Sequence, residues 1–180
     1  VVHCGTSLWT HDGESDPGRR GEYVYPADVA GLTPWPQPVA PLDVDNPDDG
    51  PVGGVLAMLR TWNWERPEVD PMLMLGWIGA AMIAGAIDWR PMVFLTGDMA
   101  TGKSELQKLI GHLFAGSLIQ TANTTAAGIY QNVGHSCLPV AIDELEASAD
   151  NTRARALLEL MRDASSGSVM LRGGQDHTPV

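Results

Sequence analysis

Lysine is almost missing from this sequence of 180 residues: only Lys103 and Lys108 occur, and Lys and Arg together number 11 against 22 Asp and Glu. The formal charge of −11 leaves no global basic field to gather nucleic acid, so any DNA or RNA contact has to be local. Cysteine is also scarce. Cys4 and Cys137 stand far apart and in no CxxC pair, which argues against a disulfide framework or a zinc ribbon and fits a reducing cytoplasm. Charged residues are few at 18% and hydrophobic ones reach 44%, a globular balance that excludes a disordered polyelectrolyte. The apolar run MLMLGWIGAAMIAGAI at 72–87 falls short of the roughly 18 to 20 residues of a bilayer span. Bounded by Asp70 and Asp88, it reads as a buried helix, and no membrane partner is expected. Val1-Val2 carries no Met and no basic stretch ahead of an apolar core, so we expect no secretory leader. With Thr178-Pro179-Val180 following closely on Gly173-Gly174, we also expect a piece of a longer protein.

The text divides into three regions. Residues 1–50 are rich in Gly, Pro and Asp; frequent prolines withhold ladder donors and interrupt helices, so short strands and turns followed by a Pro-rich linker are predicted. The acidic run from Asp43 to Asp49 lacks the regular oxygen spacing and terminal Glu of a hard-cation loop and reads as a solvated linker. Residues 51–90 are predicted helical: 52–64 with Val55, Leu59 and Trp62 on one face, then 72–87 with Asp70 as N-cap and Pro71 at the first helical position. Residues 91–180 alternate strand and helix, the pattern of a parallel sheet covered by helices. Buried strands are expected at 92–96 and 138–142, a brief strand at 118–120 and another at 169–172. Helices are expected at 104–114 (Leu106, Leu109, Ile110 and Leu113 on one side), at 125–133, and at 152–164 with Leu157, Leu158 and Met161 inward.

One motif carries specific chemistry. Gly97-Asp98-Met99-Ala100-Thr101-Gly102-Lys103-Ser104 is a complete GxxxxGK[ST] between an apolar run and an amphipathic helix. Gly97 and Gly102 permit backbone conformations closed to residues with a Cβ, so successive N–H groups can turn toward phosphate oxygens. The positive end of the following helix favours the same anion. Lys103 is expected against the β- and γ-phosphates of ATP, and the Ser104 hydroxyl on Mg²⁺. A ligand-free Gly-rich helix cap is the alternative.

Leu138-Pro139-Val140-Ala141-Ile142-Asp143-Glu144 is the second element, an apolar strand that delivers two carboxylates at its C-terminal end, where open α/β sheets bind ligands. Asp143 is the candidate for holding hydrated Mg²⁺, and Glu144 for orienting or deprotonating the attacking water.

Together, GDMATGKS and LPVAIDELE resemble the Walker A and Walker B motifs of the additional-strand P-loop ATPases, the group of AAA+ proteins and superfamily III helicases. Trp89-Arg90-Pro91, Thr124-Thr125-Ala126-Ala127-Gly128-Ile129 and Asp143-Glu144-Leu145-Glu146 are similar to the helicase part of phage and prophage primase-helicase proteins. The resemblance covers about half the chain, from Asp88 to Gly174. It implies a P-loop NTPase fold, a parallel sheet flanked by helices and incomplete at the C-terminal side, in the bacterial or phage-infected cytoplasm. It implies an ATPase motor of DNA replication, working as a homo-oligomeric ring on single-stranded DNA. It also implies a sensor strand between the P-loop strand and the Walker B strand, then an arginine finger, both beyond residue 180. Without that strand the sheet has a vacant slot, and its neighbours lose partners.

Other signals are weaker. Arg153, Arg155 and Arg162 read as a solvated helix face rather than a finger or DNA contact. Arg172 beside Gly173-Gly174 is open between a pore hairpin and an ordinary turn. Asn123, Thr124 and Thr125 are open between a γ-phosphate contact and a helix cap. His112 and His135 lack ligand spacing, and Trp35, Trp62, Trp64, Trp77 and Trp89 read as packing residues. Two rival functions remain at this level: a P-loop kinase or protein remodeller, and a nucleotide-sensing module without turnover.

Overall fold

The structure, a computed structural model, describes residues 1–27, 50–114, 116–122, 124–134, 136–143 and 152–167. The N-terminal part forms two small antiparallel sheets. Strands β1 (Val2–His3), β2 (Leu8–Thr10) and β3 (Gly13–Ser15) pair in that order, and β4 (Gly18–Arg20) pairs with β5 (Tyr23–Tyr25). Leu8 and Cys4 are fully buried here. Burial, with the Glu14 carboxylate adding to it, pushes the Cys4 thiol up, away from the reactive thiolate.

Helix α1 (Pro51–Leu59) starts with proline at its first position, where a missing N–H leaves no helical bond unmade. The indole of Trp64 donates to Leu59 O at 2.6 Å, supplying one of the carbonyl partners that a helix end lacks. Helix α2 (Asp70–Met82) begins one residue earlier than the sequence implied, with Val69 at the cap position. Asp70 does not cap it. Its carboxylate instead accepts from the Arg66 N–H at 3.0 Å and from the Arg66 guanidinium at 2.5 Å, closing the turn ahead of the helix.

The expected single helix over 72–87 stops at Met82, and a 3-10 turn, Ala84–Ala86, follows. Ile83 leaves the helical region, in a stretch where Gly79 and Gly85 weaken helix propagation. Nor is this helix buried all round. Pro71, Met74 and Ile78 face inward, whereas Met72 and Leu73 are exposed, so it covers the core with one stripe.

Helix α3 (Lys103–Leu113), strand β6 (Ile119–Ala122), helix α4 (Ala126–Val133), strand β7 (Val140–Asp143) and helix α5 (Thr152–Ser166) complete the order. β6 and β7 pair in parallel, with Ile119 opposite Val140 and Ala122 opposite Asp143, and α4 forms the crossover that parallel strands require. Leu59, Met74 and Ile78 pack with Leu106, Ile110, Phe114 and Leu118 in one core cluster, which Ala141 also touches. Ala126, Ile129 and Leu157 form a second cluster against Val140 and Ile142. Alternate residues of β7 therefore meet opposite helical layers, as the period of two demands.

Two further expectations need correction. Residues 92–96 enter neither a helix nor a sheet among the described residues, and Met92, Val93 and Phe94 are exposed, while Leu95 packs on the core. An apolar run becomes a buried strand only beside a partner, and β6 and β7 pair with each other. In α5, Leu157 is buried and Leu160 packs beside it, while Leu158 points outward at 46% exposure. The expected strand at 169–172 lies outside the described residues. Among the described residues no helix is long and apolar enough to cross a membrane.

Candidate functional site

The loop 97–104 stands at the surface and turns through three left-handed or positive-φ positions: Gly97 at 153°, Ala100 at 65° and Gly102 at 88°. Gly102 is the cap residue of α3, and Lys103 and Ser104 open the helix. The Leu106 N–H is the first to find its helical acceptor, Gly102 O at 2.9 Å. Backbone N–H groups of the first turn ahead of it have no intrahelical acceptor and present a partial positive charge.

The loop is closed on itself by its own side chains. Lys103 Nζ donates to Gly97 O at 2.5 Å and to Asp98 O at 2.7 Å. Thr101 Oγ1 donates to Asp98 O at 2.9 Å. Asp98 contributes through its carbonyl, and Met99 is 95% exposed at the tip. From the other side, Trp62 Nε1 donates to Gly102 O at 3.0 Å across 40 positions of sequence.

Beside the loop lies a cleft of about 300 Å³. Ser104 from the first turn of α3 and Asp143 from the C-terminal end of β7 both line it, together with Gln107, Lys108, Gln120 and Thr121. The parallel register with β6 brings Asp143 to the rim occupied by Ala122. A hydroxyl and a carboxylate are hard oxygen donors. With waters completing the shell, they suit Mg²⁺, which keeps much of its hydration and needs few protein ligands. Among the described residues no group of three or more His, Cys, Asp or Glu converges on a metal site.

The motif residues Gly97 to Gly102 thus form the loop, Lys103 and Ser104 open α3, and Ser104 and Asp143 share one cleft. Glu144, expected to act on water, lies outside the described residues, as do Arg172, Asn123 and His135. Thr125 is the cap of α4, its Oγ1 accepting from the Gly128 N–H at 3.1 Å, while Thr124 presents its carbonyl to Arg153 Nε at 2.7 Å. Arg153 is therefore half-buried and ties α5 to the start of α4; it is not a solvated arginine. Trp62, Trp64 and Trp77 pack on the first core cluster, whereas Trp89 is 68% exposed.

Sequence reasoning missed three features. Gln107 and Lys108 follow Ser104 at helical spacing, a signal that could have placed them on its face. Gln120 and Thr121 needed the strand pairing. Trp62 was legible as a packing residue, but its bond to Gly102 was not, because that partner lies 40 positions away in sequence. No family model, curated protein or solved structure matches this chain.

Proposed function

We propose that this chain binds Mg-ATP at residues 97–104 and hydrolyses it, as the motor part of a DNA replication helicase. The observation that carries the nucleotide is the loop itself. Its positive-φ turns deliver Lys103 and the N-terminal turn of α3 to one place, with Ser104 and Asp143 on the adjoining cleft. Such an array of N–H donors, one ammonium and hard oxygen ligands matches a polyphosphate carrying Mg²⁺.

When bound, Mg²⁺ would screen phosphate charge and polarise the phosphoryl group. In this chain Ser104 and Asp143 are the residues to hold it, Lys103 counters phosphate charge, and Glu144 is assigned the water. DNA and a ring of subunits are proposed from motif resemblance alone. The charge of −11 requires any DNA contact to be a localised one.

The test is calorimetric titration of Mg-ATP and Mg-ADP into the chain and into Lys103→Ala. Saturable binding, weakened at least tenfold in Lys103→Ala, is expected; equal affinity in both overturns the assignment. Turnover assayed with and without single-stranded DNA then separates a helicase motor, stimulated by DNA, from a nucleotide sensor that binds without hydrolysis.

A further inference from the structure

Trp62 and Trp64 sit in the turn that leaves α1, and each spends its single indole donor differently. Trp64 donates back to Leu59 O, and Trp62 N bonds Leu59 O at 3.3 Å, so the turn is anchored on a fully buried leucine. From this anchored turn the Trp62 indole reaches Gly102 O at 3.0 Å. That oxygen accepts from Leu106 N as well, so both of its acceptor directions are taken. The indole also covers the Gly102 Cα closely: a Cβ built there would stand 2.9 Å from Trp62 Nε1 and 3.3 Å from its Cδ1.

The consequence follows from peptide geometry. A trans peptide is planar, and the C=O of Gly102 and the N–H of Lys103 point in opposite directions from the same plane. Holding the Gly102 oxygen toward Trp62 and Leu106 therefore aims the Lys103 N–H the opposite way, toward the N-terminal side of α3, where the loop enters. That N–H lies in the first turn of α3, where no intrahelical acceptor exists for it.

We propose that Trp62 is a positioning residue of the nucleotide site: through Gly102 it orients the Lys103 N–H for phosphate and couples nucleotide occupancy to the α1–α2 helical pair. This rests on the nucleotide reading given above. It makes residues 51–82 a working part of the site, since Leu59, Met74 and Ile78 share one core with Leu106 and Ile110 of α3. A nucleotide that shifts the Gly102–Lys103 peptide moves the indole, and the indole is fixed to α1.

The experiment compares the unsubstituted chain with Trp62→Phe, which keeps an aromatic ring and removes the N–H donor, and with Trp77→Phe. Trp77 packs on the same core cluster, but its Nε1 donates to Pro91 O, not to residues 97–104. Trp62→Phe is expected to weaken Mg-ADP about fivefold, the effect of losing one orienting hydrogen bond, with Trp77→Phe within about twofold of the parent. In the unsubstituted chain the Trp62 indole N–H resonance, assigned by elimination from single Trp→Phe variants, is expected to shift on adding Mg-ADP. Equal affinities in the two variants, or an indole resonance that Mg-ADP leaves in place, overturn the proposal while the nucleotide reading stands. An unsubstituted chain that binds no Mg-ADP overturns both. Should Trp62→Phe not fold, the resonance decides alone.

Discussion

The Lys103 ammonium lies 2.5 Å from the carbonyl oxygen of Gly97, six positions back along the chain, and closes the loop as a ring. The ammonium is thereby held over the loop by two carbonyl oxygens, those of Gly97 and Asp98. In the proposed nucleotide site, a phosphate would replace these neutral acceptors with charged ones, which form the stronger bonds. The fold and the proposed chemistry meet in that contact.

Among the described residues, Ala100 is the non-glycine residue with a positive φ. A φ of 65° is left-handed, and a residue with a Cβ loses roughly 1 to 2 kcal/mol there. Ala100→Gly removes the strain but returns about 0.4 to 1 kcal/mol of unfolded-state entropy. A net gain between about zero and about 1.6 kcal/mol in urea unfolding is expected. A loss would show that the Ala100 side chain supports the loop.

Ser104 and Asp143 share the cleft assigned to Mg²⁺. Ser104→Ala and Asp143→Asn should each reduce the Mg²⁺ enhancement of ATP affinity about tenfold, near 1.4 kcal/mol, while binding of metal-free ATP changes little. Titrations with and without EDTA measure this. An enhancement intact in both variants would remove the metal assignment.

Glu144→Gln keeps size and loses basicity. If Glu144 serves the attacking water, turnover should fall by a factor on the order of 10² or more with Mg-ATP affinity retained. Phosphate release and calorimetry on the same preparation separate the two effects, and unchanged turnover would count against the assigned role.

Asp70 sets an acid limit on one local turn. Partial desolvation pushes its carboxyl upward, but the N–H and guanidinium of Arg66 outweigh this and hold it below its ordinary value of 3.8. A depressed carboxylate stabilises the fold above its unfolded pKa, and that contribution is lost as pH falls through the folded one. Asp70→Asn should therefore match the parent at low pH and be the less stable at neutral pH. A constant gap between their urea midpoints from neutral to strongly acid pH would contradict this.

Thr125 caps α4 by accepting from the Gly128 N–H. Thr125→Ala should destabilise the chain by about 1 kcal/mol, with loss of helix signal in the same transition. A change below a few tenths of a kcal/mol would mean that solvent replaces the cap.

Most local structure was legible in the sequence because it depends on local causes. Spacing of Leu106, Leu109, Ile110 and Leu113 placed α3, with the first and third of these buried. Thr125 was a visible cap candidate. Where neighbours decide, the text misled: residues 92–96 have a strand composition but no described strand beside them, and Leu158 has a core composition on the wrong side of α5.

The sequence by itself determined the loop. Gly97, Gly102, Lys103 and Ser104 fall within eight consecutive residues, and glycine at two of the positive-φ positions with an amphipathic helix behind them makes a turn into α3 legible from local sequence alone. Only the tertiary structure decided what the loop meets. The parallel pairing of β6 with β7 carries Asp143 to the cleft of Ser104, and the α1 turn sets Trp62 on Gly102. Contacts between residues 40 positions apart depend on how helical layers pack on a sheet, and hydrophobic packing is non-directional, so composition and period cannot specify which side chains it brings together.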